Sequence, residues 1–174
     1  DYVKISLTPE KLAELLTNCG LEVESVDTIS SIKGGLNGLI IGEVKEKTKH
    51  HNADKLSIAK VDIGQKDLLN IVCGAPNVKA GQKVIVAPAG TTIFPVEGEP
   101  FKIKEGNIRG EVSQGMICAE DEIGLGDEHE GIVVLDASAK VGLLAKDYFN
   151  VMEDIVFDIG LTPNRVDAAS HIGV

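Results

Sequence analysis

Five short runs rich in β-branched and small apolar residues, LIIGEVKE, KLSIAKVDIG, LLNIVCG, KVIVAPAG and GIVVL, lie between Leu39 and about Leu135. Turn-forming residues separate them, and runs this short at such spacing predict a small closed barrel rather than a parallel α/β sheet with crossover helices. Between the fourth and fifth runs lies a long excursion, Thr91 to Gly131, containing FKIKEGNIRG, SQGMICA and an acidic segment, AEDEIGL, that reads as helical. An excursion of that length in a small barrel is commonly functional or itself structured.

The flanks carry different signals. Thr8 is a good N-cap, Pro9 suits the first helical position and Gly20 a left-handed stop, while Leu12, Leu15, Leu16 and Cys19 repeat at i, i+3, i+4 and i+7. LEVESVD then alternates as a strand, and SSIKGGLNG is a turn-rich linker. Beyond the barrel, Val141, Leu144 and Tyr148 are spaced for a short amphipathic helix, and Ile155, Phe157, Ile159 and Leu161 fall on one face of a strand. The economical arrangement is a small α/β domain split in sequence, its halves at 1–33 and 147–174, with the barrel at 34–146 inserted between them.

Charge bears on what such a barrel could bind. The formal net charge is −10, which opposes a nucleic-acid partner, because phosphate is held by Lys and Arg. Its distribution is uneven, however: residues 40–110 carry 11 basic and 8 acidic groups, whereas 111–130 carry 7 acidic groups and no basic one. Contact with RNA would therefore be local and modest. No stretch approaches the roughly 18 apolar residues of a spanning helix, and DYVKISLTPEK lacks the plan of a secretory signal. A cytoplasmic protein without a membrane partner is the simplest expectation. Cys19, Cys73 and Cys118 are widely spaced and unpaired by any CxxC, so all three read as small buried hydrophobes.

HHNADKL, His50 to Leu56, looks like a metal or acid/base cluster, yet adjacent histidines point apart and no second ligand group exists in the sequence. A turn is the better reading, with Asn52 and Asp54 bonding nearby backbone and Lys55 projecting. CGAPN, Cys73 to Asn77, lacks the spacing of a phosphate loop, and no histidine is placed by sequence to activate Cys73. Lys102, Lys104 and Arg109 are phosphate candidates, since Lys102 and Lys104 alternate on an extended segment opposite Phe101 and Ile103; a solvated strand face is the plain alternative. Aromatics are only 3% of the chain, and Phe94 and Phe101 are expected to be buried. That composition favours reading the shape and backbone of a folded RNA over stacking on a single strand. No catalytic or metal residue is assigned.

Taken together, GLEVESV, GLIIGEVKE, HHNADKLSIAKVDIG, NIVCGAPNV, GQKVIVAPAGTTI, FKIKEGNIRGEVSQGMICAEDEIGLGDEHEGIVVL and FDIGLTPNRVDAASHIGV resemble the amino-terminal region of the bacterial phenylalanine-tRNA ligase beta subunit. The middle part also resembles the tRNA-binding OB family of the endothelial monocyte-activating polypeptide type. The resemblance implies a mainly β chain with an α+β part, an OB-fold barrel inserted into the small split α/β domain. It further implies a parent enzyme that joins phenylalanine to tRNA with ATP and magnesium, assembled from two alpha and two beta subunits. In that family the aminoacylation site belongs to the alpha subunit and the editing site lies beyond this region, so the chain is expected to be an inactive fragment without a cofactor of its own. It departs from the family pattern at His51, Val166, Ala168 and Ala169, and is slightly longer than that pattern around Ser30 to Asn37.

Two readings of the barrel stay open. In one it touches tRNA weakly through Lys55, Lys102, Lys104 and Arg109; in the other it is a structural and assembly module with little direct tRNA contact.

Overall fold

A computed structural model describes residues 4–165 and Ala168. The sequence departures at Val166 and Ala169, and part of the 147–174 segment, lie outside the described residues. The chain divides into two compact units, one made of Asp1–Ile29 with Glu153–Val174 and the other of Ser30–Met152.

The first unit contains helix α1 (Pro9–Asn18) and strands β1 (Glu22–Ser30) and β12 (Glu153–Gly160), the two strands pairing as a two-stranded sheet. α1 begins as its sequence dictates: the Thr8 side chain accepts the Lys11 main-chain N–H, and Pro stands in the first turn. At the other end Gly20 takes a φ of 83°, and the Arg165 guanidinium donates to the Cys19 carbonyl at 3.0 Å, satisfying a helix-end acceptor. The apolar stripe is not buried as its spacing implies. α1 has no buried residue, and Leu15 is exposed along with Cys19.

The second unit is built on β2 (Ile40–Lys49), β3 (Ser57–Asp62), β4 (Leu69–Cys73), β5 (Lys83–Pro88), β6 (Thr92–Ile93), β7 (Phe101–Lys102), β8 (Gly106–Ile108), β9 (Glu111–Ser113), β10 (Gly115–Ile117) and β11 (Val134–Leu135), followed by helix α2 (Ala145–Tyr148). The main sheet runs β10-β5-β2-β3-β4, with β11 also on β5. The open edge of β4 is closed back towards β10. Gln114 N–H donates to the Asn70 carbonyl at 2.8 Å, the Asn70 and Val72 N–H groups donate to the Gln114 and Ser113 side chains, and Asn70 Nδ2 donates to the Val112 carbonyl. Numbering the five principal strands in chain order, the ring reads 1-2-3-5-4-1, an OB-type barrel. β2 can serve two neighbours because it bends: its register with β3 shifts between Val44 and Glu46, leaving Lys45 as the extra residue of a bulge.

Alternation along β5 separates two apolar clusters. Val84 and Val86 join Val44, Val61, Ile71 and Val78 inside the barrel, while Ile85 and Ala87 face Leu36, Leu39, Ile93, Cys118 and Ile123 on the other side. Ile32, Phe149 and Val151 pack on this second cluster. The acidic segment expected to be helical is a single 3-10 turn, Asp121–Ile123, ended by left-handed Gly124, and the helix expected from Val141 to Tyr148 is reduced to the one turn of α2. Phe101 is 42% exposed rather than buried, because β6 and β7 form a short two-stranded ribbon apart from the main sheet.

The cysteines also differ from one another. Cys73 and Cys118 are buried, and burial pushes both thiols up from their ordinary value, whereas Cys19 is exposed. A thiol-directed reagent should therefore label the folded chain at Cys19 first, with Cys73 and Cys118 reacting only on unfolding, as mass spectrometry of labelled peptides would read.

Candidate nucleic-acid interface

Of the four candidate cations, Lys55, Lys104 and Arg109 stand on loops and Lys102 on a short strand. Lys55 sits in the turn joining β2 to β3, which are the first and second strands of the ring. Arg109 is at the tip of the β8–β9 hairpin, part of the long connection between the ring's fourth and fifth strands. In OB barrels these two connections frame the face that binds oligonucleotides. Lys102 is on β7 and Lys104 in the loop after it. All four side chains are exposed, and none has an ion-pair partner among the described residues.

The structure brings two of the four together. His50 Nε2–H donates to the Ile108 carbonyl at 3.1 Å, and Asn52 Nδ2 donates to the Arg109 carbonyl at 3.3 Å, so the Lys55 loop is tied to the Arg109 hairpin. No hydrogen bond among the described residues ties Lys102 or Lys104 to that pair. Nor do Lys102 and Lys104 share a regular strand face: β7 ends at Lys102, and Ile103 turns inward, its N–H donating to the Thr91 carbonyl at 2.8 Å.

Sequence reasoning missed several contributors. Asn52 and Asp54 do not cap their own loop as a turn reading implies. Asn52 reaches 57 residues along the chain to Arg109, and Asp54 pairs with Lys49 at 2.9 Å. A cleft of about 580 Å³ beside the loop is lined by Lys47, Lys49, Lys55, Ser57, Gly74 and Pro76. The alternation of lysines in KEKTK was the available signal for Lys47 and Lys49. CGAPN thus acts as a wall: beyond Gly74–Pro76 a second cleft of about 420 Å³ is bordered by Glu122, His129 and Glu130. Three lysines and one carboxylate, Asp54, line one side of that wall, and Glu122 and Glu130 with His129 the other. A phosphate chain is attracted to the lysine side and repelled from the acidic one.

Residues 39–143 match the model of a family described as a putative tRNA binding domain. The chain belongs to that family. Over its whole length it is also 53% identical to the phenylalanine–tRNA ligase beta subunit of Bacteroides thetaiotaomicron, 49% to that of Porphyromonas gingivalis and 42% to that of Pectobacterium atrosepticum. In each case the match covers 100% of this chain and 21% of the relative, so the chain spans about a fifth of the length of these beta subunits. Within the family domain fall all four candidate cations, the two clefts and the tie between the loops. Among the described residues no group of three or more His, Cys, Asp or Glu could hold a metal ion, and no helix is long and apolar enough to cross a membrane. His50 has both ring nitrogens engaged with protein backbone, which leaves neither for a metal.

Proposed function

We propose that this chain is the amino-terminal piece of a bacterial phenylalanine-tRNA ligase beta subunit and that its barrel holds the backbone of tRNA. The observation that carries the reading is the joining of the Lys55 loop to the Arg109 hairpin, which belong to the two connections that frame the binding face of OB barrels, within a tRNA-binding family domain. Lys55 and Arg109 are the central contacts, with Lys102 and Lys104 adding positive charge from the neighbouring ribbon. Their side chains suit phosphate, and with few aromatics the barrel reads the shape of a folded RNA more than its sequence.

In this reading the parent enzyme is cytoplasmic and includes an alpha subunit and a second beta subunit. The ATP- and magnesium-dependent joining of phenylalanine to tRNA belongs to the rest of that assembly. The expectation is that the purified chain, given ATP, magnesium, phenylalanine and tRNA, forms neither the adenylate nor charged tRNA, yet retains tRNA in a direct titration at low salt and releases it as salt rises. Aminoacylation by the chain alone would contradict the division of labour. Absence of binding at low salt would favour a structural and assembly module instead.

A further inference from the structure

His50 is 3% exposed, and its environment fixes the state of its ring. Nδ1 lies 3.0 Å from the Asn52 main-chain nitrogen, and Nε2 lies 3.1 Å from the Ile108 carbonyl oxygen. A main-chain N–H can only donate and a carbonyl can only accept. Nδ1 is therefore the acceptor and Nε2 carries the hydrogen, a single neutral tautomer imposed by backbone on both sides. The next contact comes from Asn52, whose side-chain amide donates to the carbonyl of Arg109. Two residues of the β2–β3 loop thus grip two consecutive carbonyls, those of Ile108 and Arg109.

The exposed β8 side and tip of the gripped hairpin gain from such support. Among the described residues β8 and β9, three residues each, form a ladder only with one another; β9 is also held to β4 through Val112 and Ser113, whereas β8 is exposed throughout. A two-stranded ribbon is marginal by itself in water. Its turn places Arg109 at a φ of 54°, a left-handed conformation that is unfavourable for a side chain of this kind, with Asn107 accepting the Gly110 N–H at 2.8 Å. The carbonyl that Asn52 holds belongs to that strained residue.

We propose that His50 and Asn52 are positioning residues, a clasp that holds the Arg109 tip beside the Lys55 loop so that both cations meet RNA as one preformed surface. The inference rests on the tRNA-contact reading above. Neither clasp side chain touches RNA; both act through Arg109, by removing freedom that the hairpin would otherwise lose on binding.

The test is a coupling measurement on the full chain, with tRNA transcript as the probe. Arg109→Ala alone is expected to weaken binding about tenfold, the scale of one charge-assisted phosphate contact. His50→Ala should weaken it by a similar factor while amide exchange across 106–113 accelerates. In the His50→Ala background, Arg109→Ala should then add less than about twofold, because a released tip no longer delivers its guanidinium. His50→Gln, whose Nε2 can still donate to the Ile108 carbonyl, should recover part of the loss, which a general packing defect would not. If His50→Ala does not fold, Asn52→Ala removes only the exposed side-chain bond and should show the same coupling with Arg109→Ala. Fully additive losses overturn the clasp while leaving the contact surface standing. If Lys55→Ala and Arg109→Ala both bind tRNA as tightly as the unmodified chain, the contact reading fails, and the clasp with it.

Discussion

Cut after Met152, the chain is expected to lose amide protection throughout residues 9–30 while the barrel keeps its cooperative unfolding transition. The strand β1 pairs in its two-stranded sheet with β12 alone, so the cut removes every ladder partner that β1 has there. α1 has only 10 residues and none of them is buried. A helix of that length is marginal in water, and the Arg165 hydrogen bond to the Cys19 carbonyl would be removed together with β12. Exchange over α1 and β1 should therefore approach that of an unstructured peptide. The unit 30–152 keeps both of its apolar clusters in the shortened chain, and its denaturation midpoint should move little. Full protection of residues 9–18 after the cut would show that the helix draws its stability from elsewhere.

Replacing Gly34 by alanine should destabilise the barrel unit by about 3 kcal/mol, combining a left-handed backbone penalty of about 1–2 kcal/mol with an overpacking penalty of about 1–3 kcal/mol. Gly34 has a φ of 74°, and a Cβ added there would lie 2.7 Å from Phe94 Cβ and closer still to its ring. The neighbouring Gly35 and Leu36 also have positive φ, at 65° and 54°, so the turn has little latitude to shift and relieve the contact. Gly90 supplies the control. It has a φ of 100° with nothing within 4 Å of an added Cβ, so Gly90→Ala should show only the backbone part, about 1–2 kcal/mol. Urea denaturation of the two variants separates the terms; equal losses would mean that Phe94 moves aside freely.

These elements also show where the sequence was legible. The start of α1 was readable because Thr8 and Pro9 act on the turn they begin, and the β-runs because each carries its own apolar residues and turn signals. What closes the barrel was not readable. Asn70 meets Gln114 across 44 positions, and no local pattern marks either residue as a partner. Burial failed where it depends on neighbours: Cys19 looked like core on a helical stripe but lies exposed on α1, and Phe101 lies on a ribbon too short to be covered. For the same reason the proposed RNA surface was only half visible. Lys55 and Arg109 could be picked by charge, but their joining depends on His50, which sequence alone presents as part of a turn or a false metal cluster.

The most direct test of the tRNA-contact account is the salt dependence of tRNA binding by the unmodified chain and by a folded variant carrying Lys55→Ala, Lys102→Ala, Lys104→Ala and Arg109→Ala. The account predicts weak binding that falls steeply with salt in the unmodified chain, and in the variant a slope reduced by up to about one unit for each phosphate contact removed. Unchanged affinity and unchanged slope in a variant that melts like the unmodified chain would contradict it.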